Sequence, residues 1–295
     1  MSDTLKRLLV WGVIVGVLYG VSATFDLSEL AEPRRPLPPE GDGGAWLRRT
    51  PAAVPQGRTP ADPNFDTIVE ESGGVKEDAI GTAFLVGPNL LVTAAHVIEP
   101  CTTAYVRIQG RWRKVSDSKL HPAADVAILR TDTAQEKPPN LGMTDRLPVL
   151  DQEGFHVGYP QGVPSTVYTR MIGLTRIRAG KPGTPIEQGW VWAELDRSPP
   201  SSGTLGGLSG GPQVDRTGAV QGVTILHSER MGRVTTTPMR RVREVVPAEI
   251  VQVGGGGSSI GREDFARHGE QARQSGAVSL VFCSASGRTR PRGSG

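Results

Sequence analysis

Three short segments hold the residue types that nucleophilic catalysis needs. The first is Gly207-Leu208-Ser209-Gly210-Gly211-Pro212. A serine hydroxyl is a poor nucleophile until a base takes its proton. It also needs backbone N–H groups aimed at the developing oxyanion. Glycines let the backbone turn sharply enough to supply them, and here the donors are expected to be the N–H groups of Gly207 and Ser209. Taken alone, the hexapeptide also reads as a glycine-rich turn. The second segment, Leu91-Val92-Thr93-Ala94-Ala95-His96-Val97, sets a histidine directly after an apolar strand, among small neighbours. A neutral imidazole is the natural base near pH 7, although a lone histidine is more often structural. The third, Ala123-Ala124-Asp125-Val126-Ala127-Ile128-Leu129, leads an aspartate into a wholly apolar run. A carboxylate is costly to bury without a partner. Asp125 either stays solvated at a strand end or orients the histidine and stabilises its imidazolium.

The chain order is His96, Asp125, Ser209, with the serine before Gly-Gly-Pro. That order differs from those of subtilisins and α/β-hydrolases. With these segments the chain resembles the trypsin-like (chymotrypsin-fold) serine protease family, and within it the bacterial HtrA (Deg) type. Gly81-Thr82-Ala83-Phe84-Leu85-Val86 and Val157-Gly158-Tyr159-Pro160-Gln161-Gly162 also carry the likeness, which spans about residues 66–250. It implies two perpendicular β-barrels, His96 and Asp125 on the first, Ser209 on the second, and the triad in the cleft between them.

The departures from the family pattern carry information. Leu208 stands where the family usually has Asp or Asn, so trypsinogen-type activation through a new N-terminus is not expected. Gly203 occupies the position six before the serine, which argues against a preference for Arg or Lys. Thr224-Ile225-Leu226-His227 is expected to pair with an extended substrate by β-addition. His227 either reaches the rim of the primary pocket or lies exposed at a strand end. His121, His156 and His268 read as structural or exposed. The stretch after residue 250 is too short for a PDZ domain.

Positioning these groups requires a β-rich domain. Short apolar runs alternate with turn residues from about 66 to 250, as at 81–86, 90–93, 105–108, 112–115, 126–129, 154–158, 167–177, 189–195, 219–226 and 234–237. Gln109-Gly110-Arg111 is a hairpin signature. Only 239–246 reads as a helix within this span. The expected fold is all-β: two six-stranded antiparallel barrels, about 66–140 and 141–250, with a C-terminal helix, preceded by an N-terminal hydrophobic helix. Residues 251–295 are expected to be a Gly/Ser-rich linker and tail. Within it 263–273 reads as a short helix, and 277–283 as an edge strand laid onto the first barrel. Truncation after Val253 is accordingly expected to leave a folded domain.

Lys6 and Arg7 precede an uncharged run over residues 8–25, which is at the lower edge of what spans a bilayer. Residues 1–7 are then cytoplasmic, and the remainder is exported. The run is either a retained anchor or a signal peptide cut after Val21-Ser22-Ala23. Residues 26–65 are a proline-rich spacer that cannot repay the entropy of folding. The protease domain would be periplasmic or extracellular. The net charge of +3 is too small to argue for nucleic acid, and nothing points to a metal or organic cofactor. Cys101 and Cys283 are the only cysteines. They rule out a cysteine metal cluster and leave a disulfide open.

Two functions fit. One is a serine endopeptidase cutting extended or misfolded polypeptides through an acyl-enzyme. The other is a protease-like peptide-binding module, or a latent membrane-tethered sensor, whose oxyanion hole waits on a partner because of Leu208 and the loop 197–205. The oligomeric state is not readable.

Overall fold

The fold was taken from a computed structural model, which describes residues 68–70, 78–132, 134, 141–178, 186–228, 232–246 and 259–286. The expected N-terminal helix, the proline-rich spacer and the glycine-rich hinge at 254–259 lie almost wholly outside these residues. Among the described residues no helix is long and apolar enough to cross a membrane.

Alternating side-chain burial marks how the strands curve around two interiors. β4 (Thr103–Ile108) buries every second residue, as expected of a strand with one face on a core. β3 (Leu90–Thr93) buries all four. With β2 (Ala79–Gly87), β5 (Arg111–Leu120), β6 (Ala127–Thr131) and β13 (Val278–Ser284) they form a closed barrel in the order β13-β2-β3-β6-β5-β4. The second sheet runs β1-β8-β7-β10-β11-β12-β9, and an additional β8–β9 pairing closes six of these strands into a second barrel. Its strands are β7 (Glu153–Gly158), β8 (Ser165–Arg178), β9 (Ile186–Ser198), β10 (Pro212–Val214), β11 (Val220–Ser228) and β12 (Arg233–Pro238). All pairings in these two barrels are antiparallel. Among the described residues three α-helices complete the domain: α1 (Ala95–Ile98), α2 (Met239–Arg243) and α3 (Phe265–Gln274). This is the expected pair of six-stranded barrels, with the helix after the second.

The structure corrects the expected division in two places. β1 (Ile68–Glu70) pairs with β8 in parallel, so it extends the sheet of the second barrel and is no part of the first. β13 is no edge strand. It pairs with β2 from Val278↔Phe84 to Cys283↔Ala79, and with β4 from Leu280↔Arg107 to Ser284↔Thr103. Without it β2 and β4 would both present open N–H and C=O groups. All but one of its residues are buried. Cys283 on β13 is disulfide-bonded to Cys101, across a sequence separation of 182. A bridge closing so long a loop typically stabilises by about 2–5 kcal/mol.

The main core runs through both barrels. It joins Phe84, Leu91 and Leu129 of the first to Phe155, Val157 and Val223 of the second, with Val242 of α2 and Phe265 of α3 packed onto them. A satellite cluster of Val167, Met171, Trp190, Trp192 and Val234 takes in Leu205 and Leu208. The catalytic-type loop is thus pinned from below by its own two leucines.

Candidate active site

His96 sits in the single turn α1, directly after the buried strand β3. Asp125 precedes β6 and is 1% exposed. Both carboxylate oxygens serve His96: Oδ2 lies 2.7 Å from its Nδ1, and Oδ1 accepts its backbone N–H at 3.0 Å. An ionised carboxylate only accepts, so Nδ1 bears the proton and Nε2 is left as the basic nitrogen. The two bonds also fix where the ring sits relative to its own main chain.

Ser209 comes from the other barrel. Its turn is held by Leu208 N–H to Leu205 O (2.9 Å), Gly211 N–H to Leu208 O (2.9 Å) and Gly210 N–H to Thr224 O (2.7 Å). Thr82 N–H, from β2, donates to Ser209 O at 2.8 Å. Gly210 has φ +86°, and a Cβ there would lie 2.1 Å from Thr82 O and 2.9 Å from Ala94 N. Only glycine lets the serine turn press this closely on the strand end that leads to His96. The turn that carries Ser209 thereby lies against the strand end that leads into His96. The Ser209 hydroxyl donates to Ile225 O at 3.3 Å.

The peptides around Gly207 are clamped on both sides. Gly206 O accepts Gln161 N–H at 2.7 Å and the Gln161 side-chain amide at 3.1 Å. Gly207 O accepts the Thr82 hydroxyl at 2.7 Å. Because a trans peptide is planar, a Gly206 carbonyl turned to Gln161 aims the Gly207 N–H the opposite way. Among the described residues neither the Gly207 nor the Ser209 N–H is engaged in a backbone hydrogen bond. Such a pair of free N–H groups is what an oxyanion binds. Leu208, at 1% exposure, fixes the turn by packing into the satellite cluster. Gln161 lies within a stretch already singled out in the sequence, but nothing there announced that its φ of +52° would turn its N–H onto Gly206.

The strand expected to receive substrate divides in use. Thr224 is not available for pairing: its N–H donates to Gly211 O, its carbonyl accepts from Gly210, and its hydroxyl meets Nδ1 of buried His156 at 2.9 Å. Ile225 lies at a bulge between Thr224 and Leu226, with its carbonyl toward Ser209. Leu226 and His227 continue the strand half-buried. The His227 side chain is 9% exposed, neither open to solvent nor unaccompanied, with Nε2 3.8 Å from Glu194 Oε2. Gly203 is exposed, and its carbonyl accepts Arg197 Nη1 at 2.6 Å. Arg197 also pairs with Glu194, so the loop 197–205 is tied back onto β9. Burial alone would raise the Glu194 carboxyl, but His227 and Arg197 outweigh it and hold it down at about 2. Sequence reasoning missed Glu194 and Arg197, since charged residues near a strand end read as a solvated face.

His156 is fully buried between Thr224 and Thr169, its Nε2 3.1 Å from the Thr169 hydroxyl. Burial lowers its pKa from 6.5 to about 3, against an opposing pull from Glu194. In the unfolded chain the ring takes up a proton near pH 6.5, which the folded state refuses until about pH 3. Stability contributed by the neutral ring is therefore present above 6.5 and is lost as pH falls toward 3, at about 1.4 kcal/mol per unit. Thermal denaturation across that window should show a shallower decline for His156→Gln than for wild type. Parallel slopes would remove His156 as the cause.

Among the described residues no three His, Cys, Asp or Glu side chains gather as metal ligands. The trypsin-like peptidase domain family matches residues 81–223. Of solved structures, the Rv3671c protease from M. tuberculosis in its active form shares 18% identity, covering 68% of this chain and 99% of that one, with a TM-score of 0.50. The MamO protease domain from Magnetospirillum magneticum shares 20%, covering 60% and 93%, at 0.46. The HtrA-type protease AlgW shares 21%, covering 56% and 50%, at 0.43. No curated protein matches the chain as a relative. The matched segment spans His96, Asp125 and Ser209 on two six-stranded barrels, so this part of the chain is a trypsin-like peptidase domain.

Proposed function

We propose that the chain is a serine endopeptidase that hydrolyses extended or misfolded polypeptides through an acyl-enzyme. The observation that carries this reading is the doubly bonded His96–Asp125 pair, 2.7 Å from ring to carboxylate, at the end of the strand on which the Ser209 turn of the opposite barrel packs. In the reaction Ser209 Oγ attacks the scissile carbonyl as His96 Nε2 takes its proton. The oxyanion rests on the N–H groups of Gly207 and Ser209. His96 then returns the proton to the leaving amine, and water attacks the acyl-enzyme by the same route. Asp125 holds the imidazolium throughout. The open strand segment from Ile225 to His227 receives the substrate backbone.

A latent peptide-binding module is favoured by one observation, the Ser209 hydroxyl resting on the Ile225 carbonyl. Fluorophosphonate labelling of the purified protein, beside Ser209→Ala, separates the two. Labelling of wild type alone is the expected result. A folded wild type that stays unlabelled would favour the latent module.

The same proposal places the protease domain outside the cytoplasmic membrane, tethered through residues 8–25. The positive flank at Lys6 and Arg7 supports this orientation. So does the Cys101–Cys283 disulfide, which suits an oxidising compartment.

A further inference from the structure

The segment that presents Asp125 to His96 is itself held from the second barrel. Glu187 on β9 carries a carboxylate with 0% side-chain exposure. It accepts the Thr237 hydroxyl at 3.1 Å and Arg241 Nε at 3.1 Å, and the backbone N–H of Asp125 faces it. Arg241, on α2, extends its Nη1 to Glu244 at 3.1 Å. Glu244 Oε2 in turn lies 2.9 Å from Nε2 of His121, which is buried at the other end of the same segment. The His121 Nδ1 accepts the Ala123 N–H at 3.0 Å, so Nε2 is the nitrogen that donates to Glu244. His121 N–H closes the loop on Val126 O at 2.8 Å.

The chain His121–Glu244–Arg241–Glu187 therefore grips residues 121–125 at both ends. Burial pushes the Glu187 carboxyl up, while Thr237, Arg241 and the Asp125 N–H oppose that rise. A carboxylate taken wholly out of water is destabilising unless its partners are in place. The fold carries that burden beside the main chain of the aspartate.

We infer that Glu187 is a positioning residue for the proposed triad: by facing the Asp125 N–H and anchoring Arg241, it fixes the Asp125 carboxylate under the His96 ring from the barrel that also carries Ser209. The inference rests on the proposed peptidase reading. It gives the contact between barrels a task, because Asp125 is then held from the barrel that also carries Ser209. Both halves of the triad thus share one frame.

Glu187→Ala, in the full chain, should lower kcat by up to about 100-fold, with KM within about twofold of wild type. Glu187→Gln keeps an acceptor oxygen for the Asp125 N–H and should restore much of that loss. A merely structural role for Glu187 would leave two further readouts unmoved. One is the low-field proton resonance of the His96 Nδ1–H bonded to Asp125, which should weaken or vanish in Glu187→Ala. The other is the His96 ionisation seen in that resonance, which should fall because the imidazolium is less well held. Arg241→Met, changed on a partly exposed helix position, should move the same readouts in the same direction, and decides the matter if Glu187→Ala does not fold. An unaltered resonance and ionisation in folded variants would overturn the inference. The resonance is read without turnover. A wild type inert to fluorophosphonate with an intact Glu187-dependent resonance would therefore refute the peptidase reading alone.

Discussion

Ser209→Ala should reduce turnover of a denatured protein substrate by about a millionfold, to the residual rate that oxyanion binding and substrate alignment sustain. His96→Ala should fall by a similar factor, and the double variant hardly further, because nucleophile and base act as one unit. The structure gives the reason for this non-additivity. The His96 ring has its Nδ1 fixed by Asp125, so Nε2 has one task, and that task needs the Ser209 hydroxyl. The Ser209 turn is held by Thr82, Thr224 and the Leu208 packing, so alanine should leave its shape intact. Substrate affinity of Ser209→Ala, measured by fluorescence anisotropy with a labelled peptide, should then stay near the wild-type KM. Equal turnover in wild type and Ser209→Ala would end the assignment of the serine.

Truncation after Val253 should abolish cooperative folding, the opposite of the outcome expected when the C-terminal segment reads as a tail. The deletion removes β13, which pairs along both β2 and β4. It removes α3, whose Phe265 packs in the core and whose Arg273 donates to Ser165 O at 2.7 Å. It also removes the disulfide. Each loss destabilises by several kcal/mol or more, and a domain holds only about 5–15 kcal/mol in reserve. Calorimetry of the truncated chain should show no transition where the intact chain has one. A retained transition would mean that β2 and β4 pair with each other in its absence. Cys101→Ser/Cys283→Ser, by contrast, should fold and melt earlier.

The residues of the candidate site were legible because each lies inside a local pattern. Small residues surround His96, glycines surround Ser209, and an apolar run follows Asp125. The strands were legible from their short apolar runs, and α2 from its position before the linker. What escaped notice is what only tertiary contact creates. Glu187 and Arg241 are ordinary charges in sequence, and become an ion pair with its carboxylate buried because β9 and α2 meet. Thr82 reads as one polar residue in a strand, yet its hydroxyl accepts Tyr159 N–H and donates to Gly207. β13 was recognised as a strand, but its place between β2 and β4 is a long-range pairing that no local pattern encodes. Thr224 looked available for substrate because a strand shows its side-chain alternation in sequence, not which backbone groups the neighbouring turn has taken.

The position of β13 has a consequence for when activity begins. Synthesis from the N-terminus delivers β2 first and β13 last, separated by nearly the whole domain. The first barrel, which carries His96 and Asp125, cannot close until that final strand has been made. Any chemistry that rests on the His96–Asp125 pair is therefore timed to the arrival of β13: a partly made chain lacks the frame its base requires.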